Sequence, residues 1–331
     1  MNSKRTRAVI LGVGHGLPER IMTNKEFESF VETSDEWILQ RTGIRERRIA
    51  APEDTCSTLG TAAALEALAN AGVDPLELDL VVCGTVTGDM PFPSTSCLIQ
   101  DRIGAKNAGA FDVGAACAGF IYSLSAAASM VQAGAAKKAL VVGVDTLTKF
   151  MDWNDRSTCV LFGDGAAAVV IERQDETDRG LLSTVLLADG SGAPHINIMR
   201  GGSLHPLSDP ASDAYSSKIF MAGAEVYRFA VGAMGDACVK LLEQVGMTSA
   251  DVDLFVPHQA NLRIIESAAR RLGLPEEKVF INVDRFGNTS GGSIPLGLYD
   301  AAQSGRLKPG MVVMTVGFGA GLVWGANLIR W

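Results

Sequence analysis

Apolar and polar positions repeat in the same order twice along the chain. Residues 63–84 and 237–258 each read as an amphipathic helix, a glycine, a polar turn and then a continuous apolar run. A glycine just past an apolar helical stripe is typical of a helix C-terminus, and an uninterrupted apolar run is typical of a buried strand. The two copies are 174 residues apart, which pairs Gly72 with Gly246 and Asp79 with Asp253.

Two further segment pairs extend the repeat. Residues 132–142 and 303–313 are 171 residues apart, and each predicts a helix end at a glycine followed by a strand. Residues 162–173 and 318–330 each begin with Phe-Gly-x-Gly and continue as a strand. The sequence therefore predicts two similar α/β halves.

The predicted strands are apolar enough to need helices over both faces of each sheet. Helices rich in small residues, 117–133 and 289–303, can pack closely between two sheets. We therefore expect a five-layered α-β-α-β-α sandwich whose halves, residues 1–175 and 176–331, share one core. The irregular stretch 189–217 is rich in turn formers and is predicted to cover a site.

Composition narrows the class of protein. Hydrophobic residues make up 47% of the chain and charged residues 20%, so we expect a large core and little disorder. No apolar run approaches the roughly 20 residues of a membrane span, and the N-terminus reads as a first strand rather than a signal peptide. The six cysteines form no CxxC pair, which argues against a zinc site and a secreted disulfide framework and predicts a cytoplasmic location. A net charge of −8 argues against nucleic acid as a partner.

The repeat brings three chemically capable residues into one region. An offset of 171 moves Cys117 onto Asn288, and an offset of 174 moves Gly84 onto His258. Cys117 and Asn288 are thus expected to open equivalent helices, while His258 ends a strand. Because symmetry-related strand and helix ends converge at the middle of such a fold, we expect a Cys–His–Asn cluster there.

Cys117 has the local setting of a nucleophile. A helix N-terminus lowers the pKa of a cysteine, and small neighbours let backbone N–H groups approach a substrate carbonyl. Read singly, each residue also has an ordinary structural alternative. These are a buried inert thiol for Cys117, a satisfied structural histidine for His258 and a turn or cap residue for Asn288.

Other sequence motifs for cofactors are weak. The segment "GVGHGL" resembles a dinucleotide fingerprint, but Leu17 stands in place of the third glycine. The sequence contains no HExxH, no phosphate-binding loop and no cluster with metal-ligand spacing, so we expect no metal site.

Seven stretches together resemble one known family over essentially the whole chain. They are "SDEWILQRTGIRERRIA", "FPSTSCLIQDRIGA", "FDVGAACAGF", "LFGDGAAAVV", "DLFVPHQANLRII", "GNTSGGSIP" and "GFGAGLVWGANLIRW". The chain resembles β-ketoacyl-acyl-carrier-protein synthase III, which implies the thiolase-like fold. Its Cys–His–Asn set separates this family from the Cys–His–His elongating synthases and the Cys–His–Cys thiolases.

The resemblance implies a decarboxylative condensation that initiates fatty-acid synthesis. Cys117 would take an acyl group from acyl-CoA, and malonyl-acyl-carrier-protein would then bind and lose carbon dioxide. His258 and Asn288 would donate hydrogen bonds to the thioester oxygen where enolate charge develops. The N–H groups of Cys117 and Ala320 would form the oxyanion hole. No cofactor is implied, because acyl-CoA and malonyl-acyl-carrier-protein are substrates.

The resemblance also assigns the CoA contacts. Trp37 and Arg156 would enclose the adenine, and Arg41 would lie near the phosphates. The segment "TSDEWI" predicts a capping box from Thr33 to Glu36, which sets Trp37 in the exposed first turn of a helix.

Two protein partners follow from the same resemblance. Phe92 resembles the residue that reaches across a homodimer interface into the neighbour's acyl pocket. Arg263, Arg270 and Arg271 share one helix face and, with Arg228, are expected to dock an acidic acyl carrier protein. The alternative for such a charge run is an ordinary solvated face. We expect no membrane partner.

The chain departs from the family pattern in two places. Gly291 and Gly292 stand where two alanines are usual, and each glycine inside a helix costs about 1 kcal/mol, so we expect a looser helix behind Asn288. Ala224 stands where an asparagine commonly contacts pantetheine, which puts one hydrogen bond to the CoA arm in doubt.

Three alternative functions remain open from the sequence. The chain could prime a specialised, polyketide-like pathway. It could be a thiol hydrolase, although the run around Cys117 lacks the papain pattern. It could also be a non-catalytic carrier-binding or dimerisation partner, although such partners often lose catalytic residues that this chain keeps. The length and branching of the primer are not encoded in any motif.

Overall fold

The computed structural model describes residues 5–331, in which strands and helices alternate. The strands are β1 (Arg5–Gly16), β2 (Arg20–Thr23), β3 (Glu46–Ile49), β4 (Leu80–Gly84), β5 (Gly109–Val113), β6 (Lys138–Asp145), β7 (Gly165–Thr177), β8 (Gly180–Ala188), β9 (Ile196–Asn197), β10 (Phe220–Met221), β11 (Leu254–Pro257), β12 (Val312–Gly319) and β13 (Val323–Arg330). The helices are α1 (Asn24–Phe27), α2 (Asp35–Thr42), α3 (Cys56–Ala71), α4 (Thr95–Arg102), α5 (Gly119–Gln132), α6 (Arg156–Cys159), α7 (Gly223–Val245), α8 (Leu262–Leu272), α9 (Val283–Phe286) and α10 (Ser293–Gln303). Across residues 5–331, none of these helices is long and apolar enough to cross a membrane.

Two large sheets have the same strand order. The first runs β1-β7-β6-β4-β5 and the second runs β8-β13-β12-β11. In both sheets, the first strand is antiparallel to the second and the second is antiparallel to the third. The fourth strand is parallel to the third. Beside β11, Phe255 and Val279 form an isolated parallel bridge in the place that β5 takes in the first sheet. This order supports two similar halves. The boundary between residues 175 and 176, which stays a prediction, falls inside β7.

Helices cover and separate the two sheets. Helix α3 packs on β1 and β7 at the outer face of the first sheet. Helix α7 packs on β8, β12 and β13 of the second sheet, and α8 packs against α7. Between the sheets, α5 contacts β4, β6 and β13, and α10 contacts β1, β7 and β11. The expected α-β-α-β-α sandwich is confirmed.

Equivalent aspartates join equivalent strands in the two halves. The carboxylate of Asp79, just before β4, accepts the backbone N–H of Lys138 at 3.0 Å, where β6 begins. The carboxylate of Asp253, just before β11, accepts the N–H of Val312 at 2.8 Å, where β12 begins. The Asp-Leu that opens each predicted strand therefore ties neighbouring parallel strands together at their N-terminal ends.

The structure corrects one residue pairing of the repeat. The 3₁₀ turns Ala116–Ala118 and Ser290–Gly292, the helices α5 and α10 that follow them, and the strands β6 and β12 all begin 174 residues apart. Helix α10 has 11 residues against 14 in α5, so the offset of 171 applies only where these helices end. The pairing of Cys117 with Asn288 is therefore wrong, and the counterpart of Cys117 is Gly291.

Candidate active site

Cys117 lies in the turn that precedes α5 and is 8% exposed. Its neighbour Ala116 has a φ of 44°, a left-handed conformation that is uncommon for a residue with a side chain and is often found at functional sites. Burial raises the pKa of Cys117 to about 12. The expected lowering by the helix N-terminus is thus wrong in direction, because desolvation of the thiolate outweighs it. A raised pKa favours the neutral thiol at this position.

His258 follows the last residue of β11 and is fully buried. Its Nδ1 lies 2.5 Å from the hydroxyl of Ser293, which also accepts the N–H of Gln259 at 3.4 Å. The Ser293 hydroxyl can donate its proton to Nδ1, and in that tautomer the ring proton of His258 lies on Nε2. Among residues 5–331, Nε2 has no hydrogen-bond partner. Burial lowers the pKa of His258 to about 3, so the ring is a neutral donor.

Asn288 is held between α9 and the turn ahead of α10. Its side-chain Oδ1 accepts the N–H of Ser290 at 2.8 Å, which leaves Nδ2 as the donor of the amide. Its backbone N–H donates to Leu161 at 2.9 Å and its carbonyl accepts from Gly163 at 3.0 Å. Ser290 and Ser293 both belong to the "GNTSGGSIP" segment, but their roles toward Asn288 and His258 were not predicted, because backbone and side-chain partners across a turn leave no spacing signal.

Two cavities meet at Cys117. The first has a volume of about 350 Å³, and Cys117, His258 and Asn288 all line it, so the structure brings the predicted cluster together. The second has a volume of about 240 Å³ and an apolar lining that includes Ala320. Ile196 lines both cavities and comes from the irregular stretch 189–217, which was predicted to cover a site.

The three predicted CoA residues lie together around the Trp37 ring, beside the first cavity. Trp37 and Arg41 line it, and Trp37 is half-buried. The guanidinium carbon of Arg156 lies 5.3 Å from the centre of the Trp37 ring and that of Arg41 lies 5.8 Å from it. Two exposed cations therefore face one aromatic ring at the entrance.

The helix that carries Trp37 begins one residue later than predicted. The N-cap of α2 is Ser34, whose hydroxyl accepts the N–H of Trp37 at 3.1 Å. The predicted capping box from Thr33 to Glu36 is therefore wrong, because the extended backbone at Ser34 makes Trp37 rather than Glu36 the third helical residue.

The four predicted docking arginines are all exposed, but acidic and polar groups contact them. Arg263 donates to the carbonyl of Gln40 at 2.7 Å. Arg270 pairs with Glu266 and Arg271 with Asp236, while Arg228 lines a surface pocket that Asp189 and Glu225 also line. These four arginines thus lie on the surface near α2, α7 and α8, where acidic and polar groups interrupt the basic patch.

Phe92 lies outside both cavities of its own chain. Its side chain is 84% exposed, and Met90 and Val86 in the same loop are also exposed. Val86 lines the second cavity, so that cavity borders the same surface. The neighbouring edge strand β5 is paired on one side only.

The two glycines that depart from the family pattern do not lie inside a helix. Gly291 and Gly292 belong to the 3₁₀ turn ahead of α10. A Cβ on Gly292 would lie 2.5 Å from the carbonyl oxygen of Gly165, and one on Gly291 would lie 2.9 Å from that of Gly84. The expected loosening of the helix is therefore wrong, since the turn uses both glycines for close backbone approach.

The other departure, Ala224, lies in the first turn of α7. It is exposed, and its neighbour Gly223 lines the first cavity. The position therefore brings no hydrogen-bonding side chain to this wall.

Residues 5–331 contain no group of three or more His, Cys, Asp or Glu side chains that could hold a metal ion. All six cysteines are free. The cytoplasmic location stays a prediction.

Comparisons with known proteins agree with this geometry. The family model described as 3-Oxoacyl-[acyl-carrier-protein (ACP)] synthase III matches residues 111–190, and the model of its C-terminal part matches residues 242–331. Beta-ketoacyl-[acyl-carrier-protein] synthase III of Symbiobacterium thermophilum is 51% identical over 97% of each chain, and that of Caldanaerobacter subterraneus is 47% identical over 99% of each chain.

Solved structures show the same relation. The 3-oxoacyl-[acyl-carrier-protein] synthase III of Aquifex aeolicus is 44% identical with a TM-score of 0.90, over 98% of this chain and 100% of that one. The priming β-ketosynthase of the R1128 polyketide pathway is 40% identical with a TM-score of 0.91, over 99% of this chain and 97% of that one. The chain belongs to the β-ketoacyl-[acyl-carrier-protein] synthase III family.

Proposed function

We propose that this acyltransferase condenses an acyl-CoA primer with malonyl-acyl-carrier-protein and so initiates fatty-acid synthesis. The observation that carries the proposal is the first cavity, which Cys117, His258 and Asn288 line together inside a chain of this family. One cavity thus holds a nucleophile and two neutral hydrogen-bond donors.

The first step is transfer of the acyl group to Cys117. The pantetheine arm would occupy the first cavity and the acyl chain the second, because Cys117 lies where the two cavities meet. The sulfur of Cys117 bonds to the thioester carbonyl carbon, the bond to the CoA sulfur breaks, and the thiol proton leaves with CoA. The N–H groups of Cys117 and Ala320 would hold the oxyanion; Ala320 lines the second cavity beside Cys117.

The second step is decarboxylation of the malonyl group. Loss of carbon dioxide leaves an electron pair on the α-carbon, which the thioester carbonyl takes up as an enolate. Nε2 of His258 and Nδ2 of Asn288 are the donors left to this oxygen once Ser293 and Ser290 hold their other atoms. Such a donor is typically worth about 3–4 kcal/mol of barrier. The carbanion then attacks the acyl thioester, and the sulfur of Cys117 is released.

Residues around the entrance of the first cavity would bind the two carriers, CoA and the acyl carrier protein. Trp37, Arg41 and Arg156 suit an adenine ring and phosphates, because cations already face the aromatic ring there. Arg228, Arg263, Arg270 and Arg271 would dock the acidic carrier protein, with their acidic neighbours displaced or shared.

A second copy of the chain would complete the acyl pocket. An edge strand beside exposed apolar side chains is typical of an interface. The edge strand β5 and the exposed side chains of Val86, Met90 and Phe92 form such a surface. Because Val86 also lines the second cavity, Phe92 of the partner subunit would reach that cavity's mouth.

Priming of a specialised pathway is the second candidate. The similarity to the R1128 priming β-ketosynthase favours it, since that protein shares the fold at 40% identity. The thiol-hydrolase and non-catalytic alternatives have no comparable support, because the curated relatives are named as synthases.

A panel of acyl-CoAs tests the proposed mechanism and reports the primer that the protein accepts. The intact mass of the protein is recorded after incubation with acetyl, longer straight and branched acyl-CoAs, with Cys117→Ser as the control. A stable acyl adduct that the variant lacks supports the mechanism and reports the primer class. Absence of an adduct with every primer would contradict the proposed mechanism. Replacement of His258 or Asn288 by alanine should spare the adduct and abolish release of carbon dioxide from malonyl-acyl-carrier-protein.

A further inference from the structure

Asp145 is a fully buried carboxylate beside the catalytic turns and has no role in the chemistry above. It is the last residue of β6. Its Oδ1 accepts from both the N–H and the hydroxyl of Thr87, at 3.2 and 2.8 Å, from the hydroxyl of Thr85 at 3.0 Å and from the N–H of Val86 at 2.9 Å. Its Oδ2 accepts the N–H of Gly291 at 3.0 Å.

The donors on the carboxyl group of Asp145 are neutral backbone N–H and hydroxyl groups. None of the ion pairs among residues 5–331 involves it. Burial raises its pKa, while the hydrogen bonds from its neighbours lower it. A buried carboxylate without a cation is costly, so a mere packing role would be served better by a neutral residue of similar size.

The two oxygens of Asp145 hold two different walls of the site. Residues 85–87 include Val86 and Thr87, which line the acyl-side cavity. Gly291 lies in the Ser290–Gly292 turn. In the same turn, the N–H of Ser290 donates to Oδ1 of Asn288. The hydroxyl of Ser290 faces both Asp145 and Cys117 but forms a well-aligned hydrogen bond with neither.

The internal repeat shows what this contact corresponds to. At the offset of 174, Asp145 is equivalent to Gly319 and Gly291 is equivalent to Cys117. A Cβ on Gly319 would lie 2.6 Å from the backbone nitrogen of Cys117. The carboxylate of Asp145 therefore holds, in one half, the backbone N–H whose counterpart in the other half is the N–H of Cys117.

We propose that Asp145 is a positioning residue that acts as a built-in hydrogen-bond acceptor at the pseudo-symmetric counterpart of the oxyanion site. Its Oδ2 fixes the Ser290–Gly292 turn, and through that turn the Asn288 amide, against Cys117. The inference rests on the proposed condensation. It assigns the decarboxylation step, rather than acylation, to this contact.

The variant Asp145→Asn breaks the contact selectively. The asparagine oxygen can still accept from residues 85–87, but its NH₂ group then faces the N–H of Gly291, donor against donor. We expect condensation to fall about tenfold or more, as for loss of a hydrogen bond to a charged group, while acylation stays within about threefold of the wild type.

Two single-turnover assays on the full-length protein measure this split. The first follows growth of the acyl–Cys117 mass with acyl-CoA, and the second follows β-ketoacyl product formation from the pre-acylated protein and malonyl-acyl-carrier-protein. Asp164→Asn is the matched control. Asp164 is also fully buried and accepts backbone N–H groups of Ala50 and Thr148, and no hydrogen bond within residues 5–331 joins its carboxylate to the Ser290–Gly292 turn. It should lose stability without changing the ratio of the two rates.

A second variant decides the question if Asp145→Asn does not fold. Asp145→Ala removes the acceptor of the Gly291 N–H and adds neither a donor nor bulk, so it breaks the same contact without a new clash. Selective loss of condensation in either variant supports the inference. A uniform loss of both steps, or no loss, overturns it. A wild-type protein that forms no acyl adduct overturns the proposed function itself, which is a different result.

Discussion

The turn ahead of α5 and the turn ahead of α10 share one backbone shape and differ in what surrounds it. Ala116 and Ser290 both have a positive φ, of 44° and 50°, at equivalent positions. Beside the first turn, β12 ends in Gly319, whereas beside the second turn β6 ends in Asp145. Cys117 lies in the turn that faces Gly319, where no side chain fills the space beside its backbone N–H. This space distinguishes the two halves as much as the cysteine does.

The strand ends that face these turns differ in the same way. His258 and its partner Ser293 are equivalent to Gly84 and Gly119. In the first half a Cβ on Gly84 would lie 2.6 Å from the backbone of Gly119, so main chain touches main chain there. The same scaffold thus yields a packed contact in one half and a histidine held by a hydroxyl in the other.

Filling the space at Gly319 should give the largest effect. In Gly319→Ala the new Cβ would overlap the nitrogen of Cys117, so we expect acylation to slow about 100-fold or more, the size of losing an oxyanion donor. Growth of the acyl–enzyme mass measures it. The control is Gly232→Ala inside α7, where a Cβ meets nothing within 4 Å and activity should be unchanged. Normal acylation in Gly319→Ala would remove the basis of the comparison.

Loss of the hydroxyl at Ser293 should have a smaller and more selective effect. In Ser293→Ala, Nδ1 of His258 loses its partner and the ring proton is no longer fixed on Nε2. We expect decarboxylation of malonyl-acyl-carrier-protein to slow about tenfold while acylation is spared. Ser129→Ala on α5, whose hydroxyl bonds only within its helix, is the control. Equal loss of both steps would show that Ser293 acts through general stability.

The pH dependence of decarboxylation tests the neutral histidine. Burial lowers the pKa of His258 from 6.5 to about 3, so the ring stays unprotonated far below neutrality. The decarboxylation rate of the pre-acylated protein should therefore be flat from about pH 5.5 to 8. An acid limb centred near 6.5 would mean that His258 titrates as an exposed ring. The same shift makes folding stability fall as pH drops from about 6.5 toward 3, since the unfolded chain binds the proton first.

The strand-linking aspartates should show the smallest effect and the greatest similarity between halves. Asp79→Ala and Asp253→Ala each remove an acceptor from the N-terminal end of a strand in the adjacent pair. We expect each to lower the free energy of unfolding by about 1–2 kcal/mol and to leave acylation unchanged. Denaturant unfolding of both variants measures this. Loss of activity in only one variant would show that these strand starts are not equivalent.

Much of the layout could be predicted because it depends on local pattern. The helix stops at Gly72 and Gly246 have φ of 63° and 66°, the left-handed conformation that glycine adopts without strain. The strand runs and the layer order followed from apolar periodicity. The capping box at Thr33 was one residue early, because Ser34 is an equally good cap and only the chain's path into α2 selects it.

The two errors at the site have different sources. The pKa of Cys117 was expected to fall and instead rises, because burial depends on what packs around the turn rather than on the helix that follows. The pairing of Cys117 with Asn288 failed because a shorter helix changes the offset and sequence identity does not show where it changes.

The sequence by itself determined the repeat, the two sheets, the family and the three residues that carry the proposed chemistry, since each is written in residue type and spacing. Only the tertiary structure decided which atoms of His258 and Asn288 remain free to donate and what the buried carboxylate of Asp145 holds. Those properties arise where strand ends and helix starts from distant parts of the chain meet. Burial and hydrogen-bond partners there are set by neighbours that are 58 to 146 residues away for Asp145 and 35 away for His258.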